Sequence, residues 1–166
     1  MNYYQPKWFT AKEVFPPSTI KDHTTAHGNI TNVIWRLFDW RVLWTADQLR
    51  ERFGLMYAND YEWGGQYKYR GFRPPTDLID WKHFNLYQKI KAISPYTFTS
   101  QHCFGRALDV NFKDITAQEV IDDIKINYKQ ERYKYIRAVE EGVSWFHFDC
   151  RSLSTDFGDE VLFFSN

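Results

Sequence analysis

Between residues 33 and 53 the apolar positions Ile34, Leu37, Phe38, Val42, Leu43 and Leu49 recur at helical spacings. That pattern predicts one or two helices with a buried face. Asp39 interrupts the run, Thr45 is placed to cap a second segment, and Gly54 ends it. A second helical pattern lies in DITAQEVIDDIKIN: Thr116 caps it, Glu119 stands three residues on, and Val120, Ile121 and Ile124 form its apolar face. Residues 76–92, with Leu78, Trp81, Phe84, Leu86, Tyr87 and Ile90, read as helix or irregular packing. Elsewhere the period changes to two. Leu108, Val110 and Phe112 alternate with Asp109 and Asn111, which predicts a strand after the TFTSQHCFGRA loop. LMYAND reads as a short strand, and EWGGQYKYRGFRPP as a Gly-rich loop. RYKYIRAV and VSWFHFDCR predict a hairpin over 132–151, joined by Glu-Glu-Gly. Residues 1–32 hold Pro6, Pro16, Pro17 and the polar KDHTTAHGN, and predict an extended arm with a short helix near Thr10. The expected organisation is an arm over 1–32 and one domain over 33–166. Its class is α+β: a small mixed or antiparallel sheet with helices packed on one face.

Composition narrows the function classes. The chain has 166 residues, enough to bury a core without disulfides. Its 19% aromatic content fills that core and leaves aromatic rings for surfaces. Lys plus Arg and Asp plus Glu are both 21, so there is no long-range field for nucleic acid or an anionic membrane. Nucleic-acid binding is not expected. Cys103 and Cys150 make no CxxC pattern. The N-terminal residues lack a basic segment followed by an apolar run, and no apolar stretch reaches 18 residues. A soluble product made in a cytoplasm, with no membrane insertion, is expected.

Candidate chemistry lies on the strands. In VSWFHFDCR, alternation puts Phe146, Phe148 and Cys150 on a core face and Trp145, His147, Asp149 and Arg151 on the other. Three polar groups in a row on one face read as the wall of a cleft. The same test sends Asp109 away from the core, and His102 lies on the loop just before it. Two His and one Asp with one water make a plausible open zinc site. A lone His is more often a surface or hydrogen-bonded structural residue. His23, His27 and His83 are read that way, and Cys103 as a small loop residue.

SQHCFGRALDV resembles the S-x-H-x-x-G-x-A-x-D signature of the D-alanyl-D-alanine carboxypeptidase-like zinc peptidases, in the wider group that includes lysostaphin-type enzymes and the hedgehog signalling domain. SWFHFDCR resembles that family's W-V-H-x-D motif, and YRGFRPP its S-G-Y-R-S-P element. NDYEWGG, preceded by WTADQLRERFG, is similar to a run in phage-encoded members. The resemblance implies a hedgehog/D,D-peptidase-like fold and Zn²⁺ held by His102, Asp109 and His147. It implies that Arg73 holds the substrate carbonyl or its oxyanion, and that Ser100 and Gly105 shape the ligand loop. Active members commonly carry an acid three residues before the third ligand, where this chain has Ser144. Glu141, six residues before His147, matches a glutamate near the hedgehog-type zinc and is the expected base, with Glu140 beside it on the expected turn. Asp149 shares the face of His147 and is expected to bond a ligand from behind. The implied function is hydrolysis of peptidoglycan peptide bonds, as a D,D-carboxypeptidase or an endolysin-type endopeptidase. The protein is expected to be phage-encoded and to act on the cell wall after lysis or from a virion. The alternative is a catalytically impaired, zinc-containing wall-binding or virion structural module.

Overall fold

In a computed structural model, which describes residues 3–74, 100–153 and 158–165, five short strands and four α-helices lie among the described residues. The strands are β1 (Met56–Tyr57), β2 (Ala107–Phe112), β3 (Ala138–Glu140), β4 (Phe146–Asp149) and β5 (Leu162–Phe164), in the sheet order β1-β2-β4-β3-β5. All pairings are antiparallel except β3 with β5. The helices are α1 (Ala11–Val14), α2 (Pro17–His27), α3 (Trp40–Phe53) and α4 (Ala117–Asn127). The class is α+β, as expected. No helix among the described residues is long and apolar enough to cross a membrane.

Register sorts the sheet into two chemically distinct faces. One row aligns Leu108, Phe148, Val139 and Phe163. The first three are buried, and this face joins Val42, Leu43, Ala46 and Leu49 of α3 and Val120, Ile121 and Ile124 of α4 in one core. The next row aligns Asp109, His147, Glu140 and Phe164. Side chains directly opposite on neighbouring strands share a face. The polar groups therefore stand together on the side away from α3 and α4.

Several elements differ from expectation for local reasons. Asp39, not Thr45, caps α3: its carboxylate accepts from the backbone N–H of Arg41 at 3.1 Å, while Thr45 is buried inside the helix. A 3₁₀ turn over Asn32–Leu37 takes up the apolar positions before it. The expected strand from residue 132 forms only from Ala138, because Tyr133 sits in a 3₁₀ turn with its hydroxyl bound to Asp123 of α4. The tail forms β5, which was not foreseen. The expected arm is largely helical. Pro17 occupies the first turn of α2, where its missing N–H costs nothing, and Gly28 ends the helix at φ +76°. Phe9, Ala11, Val14 and Phe15 join the core, and the buried Asp47 accepts from Tyr4 Oη at 2.7 Å and Lys7 N–H at 2.8 Å. Residues 76–92 lie outside the described residues.

Phe15 links this N-terminal segment to the site. Its ring meets Phe38 at 5.2 Å and Phe72 at 5.9 Å, both edge-on. Edge-to-face pairs of this kind are favoured by the ring quadrupole. Phe72 lies between Gly71 and Arg73, so packing around Phe15 sets the height at which both meet the sheet.

Candidate metal centre

His102 rides on a 3₁₀ turn, Gln101–Phe104, that runs into β2. Ser100 opens the turn through its backbone, its carbonyl accepting from Cys103 N–H at 2.9 Å. Gly105 closes it at φ +62°. A Cβ there would also collide with the carbonyl oxygen of Leu37. Gly105→Ala is therefore expected to cost at least the ~1–2 kcal/mol of a left-handed alanine, plus the displacement of the turn. Thermal unfolding and metal titration should show a lowered Tm and weakened metal binding together; wild-type values for both would refute this account of the turn.

Each donor atom is fixed from behind. His102 Nδ1–H donates to the Gly71 carbonyl at 2.7 Å, which leaves Nε2 as the lone-pair atom, 3.3 Å from Asp109 Oδ1. Gly71 comes this close because it lies against the Val14 carbonyl, with no room for a Cβ. His147 Nδ1 is 2.6 Å from the same Asp109 oxygen, and its Nε2 is 3.4 Å from Asp149 Oδ2. Asp149 is fully buried and accepts from Arg151 Nε, 2.9 Å from both of its oxygens. The outer oxygen of Asp109 accepts from Arg73 Nη2 at 2.5 Å, and Arg73 Nε donates to the Tyr69 carbonyl at 2.5 Å. His102, Asp109 and His147 are 3%, 6% and 7% exposed, so their mutual interactions are weakly screened.

The charges follow from this geometry. Burial lowers the pKa of His102, and Asp109 does not fully offset it. Burial alone would raise that of Asp109, but the neighbouring imidazoles of His102 and His147, the latter hydrogen-bonded to it, hold it well below the usual carboxylate range. Burial likewise works against His147⁺, yet hydrogen bonds to Asp109 and Asp149 prevail and push its pKa up to about 9. Without a metal, His147 holds a proton that Asp109 stabilises.

The trio His102, Asp109 and His147 can hold a metal ion, with one donor atom from each residue and all three within 4.8 Å of one another. Tetrahedral bonds near ~2.1 Å set donors roughly 3.4 Å apart, so this spread fits. Metal-binding histidines characteristically give their other ring N–H to a carbonyl or carboxylate, as both do here. A metal must displace the His147 proton. Apparent affinity for an added divalent ion is therefore expected to rise about tenfold per pH unit from neutrality to about 9, then level off. Competition titrations against a chelator across that range test this; a flat profile would show that no proton is displaced. The metal-free protein should behave oppositely. A raised histidine pKa stabilises the fold fully below its unfolded value, and that stability is lost as pH rises through about 9.

The other residues singled out in the sequence have definite places. Arg73 reaches the centre through Asp109, and Asp149 stands behind His147 Nε2. Ser100 contributes through its backbone carbonyl, which opens the His102 turn. Glu141 departs from expectation. Its carboxylate pairs with Lys125 Nζ of α4 at 2.5 Å, on the core side of the sheet. Of the two adjacent glutamates, it is Glu140 that faces the metal side, directly across from His147 and 8% exposed. The signal was available: Val139 is a core position, so alternation sends Glu140 to the opposite face. Reading both glutamates as turn residues hid it. Comparison with protein-family models, with curated proteins and with solved structures finds no match.

Proposed function

We propose that this chain is a zinc-dependent hydrolase of peptide bonds in peptidoglycan, with a hedgehog/D,D-peptidase-like fold. The observation that carries the reading is the buried His102–Asp109–His147 trio, each histidine oriented by its own outer partner. Two imidazoles and one carboxylate are a donor set typical of catalytic zinc. The motifs SQHCFGRALDV and SWFHFDCR supply the substrate class through their resemblance to cell-wall peptidases.

A bound zinc ion would supply an acidified water and a polarised carbonyl. The chain's own residues do the rest. Arg73 spends Nε and one Nη on Tyr69 and Asp109, and its side chain is 30% exposed. Its remaining N–H groups are the donors for a substrate carbonyl oxygen, where a permanent planar charge suits a developing oxyanion. Glu140 takes the role first assigned to Glu141: it accepts a proton from the attacking water and returns it to the leaving amine. Ser144, at the position where an acid is common, is exposed and takes no part.

Purified muropeptides incubated with the chain, with and without Zn²⁺, test the reading. Release of D-alanine marks a carboxypeptidase, and loss of cross-linked dimers marks an endopeptidase. If the zinc-loaded chain releases neither, the peptidase reading is wrong for these substrates. Ser144 favours a second reading, a zinc-containing module that binds the wall without cutting it. Cosedimentation with intact sacculi and no fragment release is its signature.

A further inference from the structure

A second cavity, separate from the metal trio, is lined by four cations. It has a volume of about 320 Å³, and Arg41, Lys134, Arg137 and Arg151 surround it together with Tyr135 and Ser152. No carboxylate is among its described lining residues. We propose that this cavity binds a phosphate group carried by a ligand of the protein. The inference concerns its own site and stands whether or not the metal centre hydrolyses peptides.

The four cations divide into two kinds. Arg41 and Arg151 are held rigidly. Arg41 grips Asp39 with Nε at 2.9 Å and Nη2 at 2.6 Å, and Arg151 grips the buried Asp149. A guanidinium fixed along one edge keeps its other N–H groups in a set direction. These two supply preorganised donors and little net charge. Lys134 and Arg137 supply the charge. The Lys134 partner, Glu131, is 76% exposed, and Arg137 has the fully exposed Asp159 at 3.8 Å. Exposed pairs of this kind contribute little and exchange readily. Arg137 itself is only 20% exposed, so an anion reaching it is partly desolvated.

The cavity also has a firm wall. The Tyr135 ring meets Trp40 at 4.9 Å and Trp44 at 5.2 Å, both edge-on, and Lys134 Nζ lies 4.8 Å from its centroid. Two guanidinium edges fixed by Asp39 and Asp149, beside two cations whose own partners are solvent-exposed, offer several N–H donors to one anion, which suits the oxygens of a phosphate. The volume leaves room for part of the molecule that carries it.

The test is titration of the isotopically labelled full chain with inorganic phosphate, glycerol 3-phosphate and succinate, followed by amide NMR. Each is run with and without zinc, which separates phosphate on the metal from phosphate in the cavity. The expected result is saturable shifts at Tyr135, Arg137 and Ser152 with Kd near about 1 mM or tighter for phosphate, and weaker binding of succinate. Glycerol 3-phosphate binding more tightly than inorganic phosphate identifies a carried group; the reverse order identifies the free ion and overturns that part. Lys134→Ala combined with Arg137→Ala should weaken binding at least tenfold, and Lys125→Ala, beside Glu141, should leave it unchanged. If the double variant does not fold, each single variant should still weaken binding about threefold or more. Absence of saturation, or unaltered binding in the cavity variants, overturns the proposal.

Discussion

His147→Ala should strip the protein of its metal under conditions where the wild type holds one equivalent. Losing an outer partner of a metal ligand typically costs 10–100-fold in affinity. His147 is a donor itself, one of three, so a larger loss is expected. The substitution acts on the metal-free protein as well. Asp109 is buried with one oxygen shared between the two histidines and the other on Arg73. Removing His147 deprives it of its 2.6 Å partner, and breaking a buried pair by deleting one member costs about 3–5 kcal/mol. Below pH 9 the variant should therefore unfold at a lower temperature than the metal-free wild type. Metal content by elemental analysis and thermal unfolding with excess chelator separate the two effects. A variant that keeps stoichiometric metal would remove His147 from the site.

The same trio shows how far a sequence can be read. Asp109 and His147 were legible because a strand presents alternate side chains to opposite faces, and Leu108, Val110, Phe146 and Phe148 fixed which face was core. His102 was legible only through its motif, since a 3₁₀ turn has no two-residue period to interpret. Its orientation depends on Gly71, thirty-one residues away in sequence, and on the Val14 carbonyl against which Gly71 rests. No local pattern encodes such a contact. The arm was misread for a related reason. KDHTTAHGN is polar enough for a loop, but its helix is started by Pro17 and anchored by the core residues just before it, not by an apolar stripe of its own. The tail strand β5 depends on a parallel pairing with β3, a contact about twenty-four residues apart with no turn signal to announce it.

The register of β3 puts Glu140 directly across from His147, which makes Glu140 the proposed proton carrier. Glu140→Gln should lower kcat on a cleavable muropeptide by about 100-fold or more while leaving KM and metal content near wild type, because general acid–base groups typically contribute 10²–10⁴. Glutamine keeps the shape of Glu140 and its strand pairing with His147 and Phe164. Glu141→Gln should change kcat by less than about threefold, since that side chain forms an ion pair with Lys125 on the far side of the sheet and such partly exposed pairs are worth little. The two variants differ by one position in the chain and by a face of the sheet in space. If Glu140→Gln kept full kcat while Glu141→Gln abolished it, the face assignment would be wrong for the working enzyme. If Glu140→Gln lost metal together with activity, Glu140 would belong to the metal's support and proton transfer would fall to another group. Retained metal with lost turnover is the pattern that a proton-carrying Glu140 requires.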